Sequence, residues 1–200
     1  LAHRRQRQMC IRDRSEIVRS IENRQLNLDD LTYDINDSNT INTLKLSLED
    51  KDEFKKLFAI DLLRTLPLSP WKDTIQNQFL SASDKVKRGI LELCWLQREI
   101  ITNDMIINQI HLKDEISPHA ISCAIDRNIT KNIKDIDSFL IESNDHLKFS
   151  ALVVMINDPE RSRKAKEIVD RTLIDGSEEE ITRLLHFLKH SDYDMSEHLV

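Results

Sequence analysis

The chain has 200 residues, 29 basic and 35 acidic side chains, a net charge of −6, and two glycines, Gly89 and Gly176. Phosphate-cradling loops need glycine where φ is positive or where backbone must approach a ligand closely. Two glycines 87 positions apart write neither a Walker loop nor a dinucleotide fingerprint, so nucleotide-dependent enzymes of those types are excluded.

Residues Arg4-Arg5-Gln6-Arg7-Gln8-Met9-Cys10-Ile11-Arg12-Asp13 resemble, codon for codon, the translation of a transposase adapter used in sequencing-library preparation. Taken as native they would form a basic arm for nucleic acid. The codon match argues instead that residues 1–14 are a non-native scar. The start at Leu1 fits an assembled fragment whose natural start lies upstream. Removing five Arg and one Asp leaves 24 basic and 34 acidic side chains in residues 15–200, a net of −10. Such a surface repels phosphate backbones, and nucleic-acid binding is not expected.

The remaining length suffices for one domain that buries roughly 70% of its unfolded surface. The longest strongly apolar stretch, Ser150-Ala-Leu-Val-Val-Met-Ile156, is far short of the run of about 18 residues that marks a membrane span. Cys94 and Cys123 sit among apolar neighbours and read as buried, reduced thiols of a cytoplasmic protein.

Along the chain, Ser15 to Arg24 reads as a short helix, and residues up to Asn39, rich in Asp and Asn, as an acidic linker. From Thr40 to His190 the pattern is helical: Leu44, Leu48, Phe54, Leu57, Phe58, Ile60, Leu62 and Leu63 recur at three- and four-residue steps. Ile75, Phe79, Leu80, Val86, Ile90, Leu93 and Leu96 do the same. Residues 191–200 read as a polar tail that frays.

Within this region one form recurs: an apolar residue closing a helix, a short polar turn, then a second helix. It is seen at Leu48-Glu-Asp-Lys-Asp-Glu-Phe54, Leu80-Ser-Ala-Ser-Asp-Lys-Val86, Leu140-Ile-Glu-Ser-Asn-Asp-His-Leu147 and Leu173-Ile-Asp-Gly-Ser-Glu-Glu-Glu-Ile181. A degenerate copy lies at Asp114-Glu-Ile116-Ser-Pro-His-Ala120. Phe54, Val86, Ile116, Leu147 and Ile181, taken as equivalent anchors, are 32, 30, 31 and 34 residues apart. Stacked supersecondary units require such a near-constant period, because each buries its apolar faces against its neighbours. The expected fold is all-α, an α-solenoid of about five helical hairpins in a right-handed superhelix.

The turns carry their own chemistry. Ser83-Asp84 and Asn144-Asp145 are placed to cap the helices they precede. Pro118 falls in a first helical turn, where a missing N–H costs least. Pro67, Pro70 and Pro159 mark helix ends. Gly89 and Ala151 follow their anchors closely and allow a paired helix to approach.

The runs Ser-Asp-Lys-Val-Lys-Arg at 83–88 with Ile90 and Leu93, and Asn-Asp-His-Leu-Lys at 144–148 with Ala151, resemble the HEAT repeat. The resemblance covers Thr40 to His190 and implies a scaffold that binds proteins along a curved face. Lys87 and Lys148 replace the family's usual arginine, and Ile116 is followed by Ser117 and Pro118. A continuous Asp–Arg ladder between repeats is therefore not expected. The order Arg-Gln-Leu-Asn-Leu-Asp at 24–29, Asp-Ile-Asn-Asp-Ser-Asn-Thr at 34–40 and Leu57-Phe-Ala-Ile-Asp-Leu-Leu63 is similar to the region after the membrane part of bacterial ADP/ATP translocase-like transporters. That likeness implies a cytosolic regulatory or connecting segment with an upstream membrane domain.

Candidate sites are few. His186 and His190 share a helix face at a metal-binding spacing but lack the glutamate of a zincin motif, and read as surface histidines. His119 and His146 lie at helix starts, and Glu178 to Glu180 complement a helix dipole. Cys94 and Cys123 have no histidine at a local spacing, so no nucleophile is expected. No catalytic, cofactor or metal site is expected. Lys55, Lys56, Lys85, Lys87, Arg88 and Lys148 fall at similar places in successive second helices. Stacking would align them into a basic stripe, either a groove for an anionic partner or solvated faces paired with the acidic turns. Trp71 and Trp95 read as packing residues, or as binding anchors if half-exposed on a concave face. The expected partners are a protein or flanking domains. The rival reading, a relative of HEAT-like DNA-repair glycosylases or pigment lyases, needs a basic or aromatic-lined cleft. Five per cent aromatics and the acidic balance count against it.

Overall fold

A computed structural model describes residues 38–189 together with Ser191 and Tyr193. The scar, the short helix and nearly all of the acidic linker lie outside the described residues. Among the described residues there are nine α-helices, several short 3-10 helices and no strand. None of these helices is long and apolar enough to cross a membrane. The chain divides into two compact units at Ile101/Thr102.

The first unit holds α1 (Ser38–Glu49), α2 (Glu53–Leu63), α3 (Lys72–Ser81) and α4 (Asp84–Leu96), with 3-10 helices at Ser69–Trp71 and Arg98–Ile100. These form two hairpins, α1 with α2 and α3 with α4, and like helices pair: α1 lies against α3 and α2 against α4. Leu44, Leu48, Ile60, Leu63, Phe79 and Ile90 fill the core. Pro70 opens the 3-10 turn before α3, as the helix-end reading requires. Gly89 serves close approach, but toward α2 of the neighbouring hairpin: a Cβ there would meet Ile60 Cγ2 at 3.2 Å and Leu57 Cδ2 at 3.9 Å. Gln97 ties the end of α4 to the α2–α3 connection. Its Oε1 accepts from the Leu68 N–H and its Nε2 donates to the Leu66 carbonyl, both at 2.8 Å.

The second unit holds α5 (Asn103–His111), α6 (Ser117–Asp126), α7 (Asp145–Ile156), α8 (Ser162–Asp175) and α9 (Glu178–Leu188). Helix α7 is its centre, packed by α6, α8, α9 and the 3-10 helix Ile136–Ile141. Every residue from Phe149 to Ile156 is buried, as a helix apolar on all sides must be. Leu140 was expected to close an α-helix, but here that element is the 3-10 helix. It starts from Asp135, whose φ of 51° lies in the left-handed region and prevents an α-helix from running in from upstream. Beyond α9, in the expected fraying tail, the Tyr193 hydroxyl donates to Asp170 on α8.

Polar residues at or near the starts of five helices recur at a spacing that the apolar anchors only approximate. Asp52 accepts from the Phe54 N–H, Asn144 from those of His146 and Leu147, and Ser177 forms a capping box with Glu180. Asp114 accepts from the Ile116 and Ser117 N–H groups at the start of α6. Ser83 holds the equivalent place before α4 but makes no side-chain cap; its hydroxyl donates to Glu53 instead. These five positions are 31, 31, 30 and 33 residues apart. The seventh residue after each is Ala59, Ile90, Ile121, Ala151 and Leu184, all 0% exposed. Counted the same way, Phe54 and Ile116 are second, Val86 and Leu147 third and Ile181 fourth. Each step turns a side chain by about 100°. Phe54, expected to be a buried equivalent of Val86, is 41% exposed, whereas Ile116 at the same count is 0% exposed because α6 starts two residues later relative to Asp114.

Two carboxylates make this architecture acid-sensitive. Glu180 is held below its ordinary range by the Ser177 N–H and then by the Ser177 hydroxyl. Asp137 is held below its range by a hydrogen bond from Lys164. Folded values below the unfolded ones mean a contribution complete above the unfolded range and lost as pH falls through the folded value. The thermal midpoint, followed by circular dichroism, is expected to hold from pH 7 to about 5 and to decline below about 4. Asp137→Asn should lower the midpoint at pH 7 and shrink the acid drop.

Candidate binding surface

The surface of the first unit that carries most of the predicted residues is formed by α2 and α4. Its cations are tied to nearby acids and amides. Lys55 Nζ lies 2.8 Å from Asp50, and Lys56 Nζ donates to Gln78 Oε1 on α3 at 2.6 Å. Lys85 Nζ stands 3.5 Å from Glu53, which the Ser83 hydroxyl and then Lys85 hold below the usual carboxylate range. Arg64, not singled out by the sequence, bridges α2 to α4 through Glu92 and also pairs with Asp61 at 3.1 Å. Lys87 is half-buried and Arg88 exposed on α4. Lys148 belongs to the second unit, where its Nζ lies 5.7 Å from the Phe149 ring centre. There Arg183 on α9 reaches Asp145 on α7 at 2.9 Å, an ion pair between these two helices.

The two tryptophans differ. Trp71 is 0% exposed, with its indole N–H donating to the Ile41 carbonyl at 3.0 Å, and so cannot take part in a surface. Trp95 is 53% exposed near the end of α4, next to Leu96 at 56%. Comparison of the chain with protein-family models, characterised proteins and solved structures found no match.

The other sequence candidates are placed as follows. Cys94 and Cys123 are buried and not joined in a disulfide, and the Cys94 thiol donates to the Ile90 carbonyl. His146 stands edge-on to Phe187 at 5.7 Å, a contact that packs α7 on α9. His186 is exposed, and His190 lies outside the described residues. Among the described residues no group of three or more His, Cys, Asp or Glu converges. Leu96 was missed because apolar periodicity assigns it to the core, although α4 places it on the solvent side with Trp95.

Proposed function

We propose that this chain is a HEAT-like stack of helical hairpins that docks a partner protein on the α2–α4 surface, with Trp95 as anchor. The observation that supports it is the recurrence of polar residues ahead of five helices, Asp52, Ser83, Asp114, Asn144 and Ser177, about 31 residues apart, each followed at the seventh residue by a wholly buried apolar side chain. Units of that kind bury their cores against neighbours and leave one helix layer free for recognition. A half-exposed tryptophan next to an exposed leucine, with Arg88 two turns earlier on the same helix, has the composition of an interface centre, where Trp and Arg carry much of the binding energy.

The test is selection of displayed peptides on the full chain, followed by affinity measurement on variants. Trp95→Ala is expected to weaken selected peptides about 30-fold, the cost of removing an anchor worth about 2 kcal/mol. Ile174→Ala, at an exposed apolar residue of α8, should leave affinity unchanged. Failure to select any binder, or binders indifferent to Trp95 and Arg88, would overturn the proposal.

A further inference from the structure

Apart from this surface, the second unit contains an open cleft of about 490 Å³. Its floor is apolar: Ile125 from the last turn of α6, Ile136 from the 3-10 helix and Val154 from the last turn of α7. Two helices end on it. Asn128 follows α6, turned into the left-handed region at φ 56°, and Asn157 caps the C-terminus of α7. Each helix C-terminus carries a partial negative charge of about half a unit on its last carbonyls.

The charged groups around the cleft cancel one another. Arg161 pairs with Asp158 at 2.8 Å and approaches Asp137 at 3.6 Å, and Asp137 also holds Lys164. The second Asp158 oxygen accepts the Glu160 N–H, which fixes the loop into α8. Exposed Lys131 and Glu160 also line it, one on the turn after α6 and one on the loop after α7. Of the residues lining the cleft, two cations, Lys131 and Arg161, stand with two carboxylates, Asp158 and Glu160, and the two helix ends supply the excess of negative potential. The volume is within the range of small-ligand sites, with an apolar base and a few fixed polar groups at the mouth.

We infer that this cleft binds an organic cation on an alkyl stem, the stem on Ile125, Ile136 and Val154 and the charged head at the ends of α6 and α7. A lysine side chain of a peptide and a free diamine share that chemistry. The test is a titration of the ¹⁵N-labelled full chain with N-acetyl-lysine methylamide, with cadaverine, and with neutral N-acetyl-norleucine methylamide. The expected result is shifts of the Asn128, Asn157 and Glu160 amides with both cations. Stronger binding of the lysine derivative assigns the site to peptide side chains, and stronger binding of cadaverine to free diamines. Glu160→Lys, at an exposed position, should weaken the cations about fivefold, the effect of reversing one exposed charge. Thr130→Trp, at the half-buried edge, should abolish the shifts while the melting temperature is kept. Equal affinity for the norleucine derivative, no change in Glu160→Lys, or no localised shifts with either cation would each overturn the inference.

Discussion

Replacement of Trp71 by alanine is expected to destabilise the first unit by about 3–5 kcal/mol, the usual cost of truncating a fully buried large aromatic. The indole is wholly enclosed, and its N–H satisfies the Ile41 carbonyl of α1. The substitution therefore removes packing and also the indole's bond to a carbonyl that α1 already engages. Trp71→Phe should restore most of the packing and none of the hydrogen bond, so its loss should be the smaller. Urea denaturation followed by fluorescence measures this cleanly, since the chain has two tryptophans and the variant retains only Trp95. The midpoint should fall with the slope unchanged. A loss below about 1 kcal/mol would mean the ring is not part of the core.

The second large effect is expected at a polar residue. Gln97 supplies both an acceptor for the Leu68 N–H and a donor for the Leu66 carbonyl, at a connection whose two leucines are buried. Gln97→Ala strands two buried backbone groups at about 1–3 kcal/mol each, so a loss of about 2–6 kcal/mol is expected. Gln97→Glu keeps the acceptor and removes the donor, and should fall between. Hydrogen exchange separates the two: the Leu68 amide should exchange faster in Gln97→Ala and remain protected in Gln97→Glu. Equal protection in all three chains would show that the bond to Leu68 carries no weight.

The helical class and the recurring period could be read from the residue string because apolar steps and polar turns are local signals. The register was harder. Phe54, Val86, Ile116, Leu147 and Ile181 resemble one another in size and context, yet they sit two, three or four residues after their caps. Counting from Asp52, Ser83, Asp114, Asn144 and Ser177 would have found a buried residue at a fixed step in each case, since polar residues near a helix start mark where it begins while apolar residues mark only a broad face. The 3-10 helix Ile136–Ile141 had no such signal: its left-handed start is borne by an aspartate, a residue equally suited to a cap. Of the predicted surface, Lys55 finds its acid, Asp50, at a short sequence distance, whereas Lys56 and Lys85 are held by Gln78 and Glu53 from other helices, which local spacing does not reveal. The division between buried Trp71 and exposed Trp95 depends on partners some 30 positions away.

The spacing between these five polar residues varies from 30 to 33, while a buried apolar side chain follows each at the seventh position, although α6 begins three residues after Asp114 and the other four helices one residue after theirs. The chain can thus lengthen or shorten only ahead of a cap, where a connection absorbs the change. One residue inserted just after a cap would swing the following row by about 100° toward solvent and empty the core of that repeat. Tolerance to insertion and deletion should therefore alternate along the protein with the same beat as the hairpins, permissive in the connections and forbidding in the first two turns of each second helix.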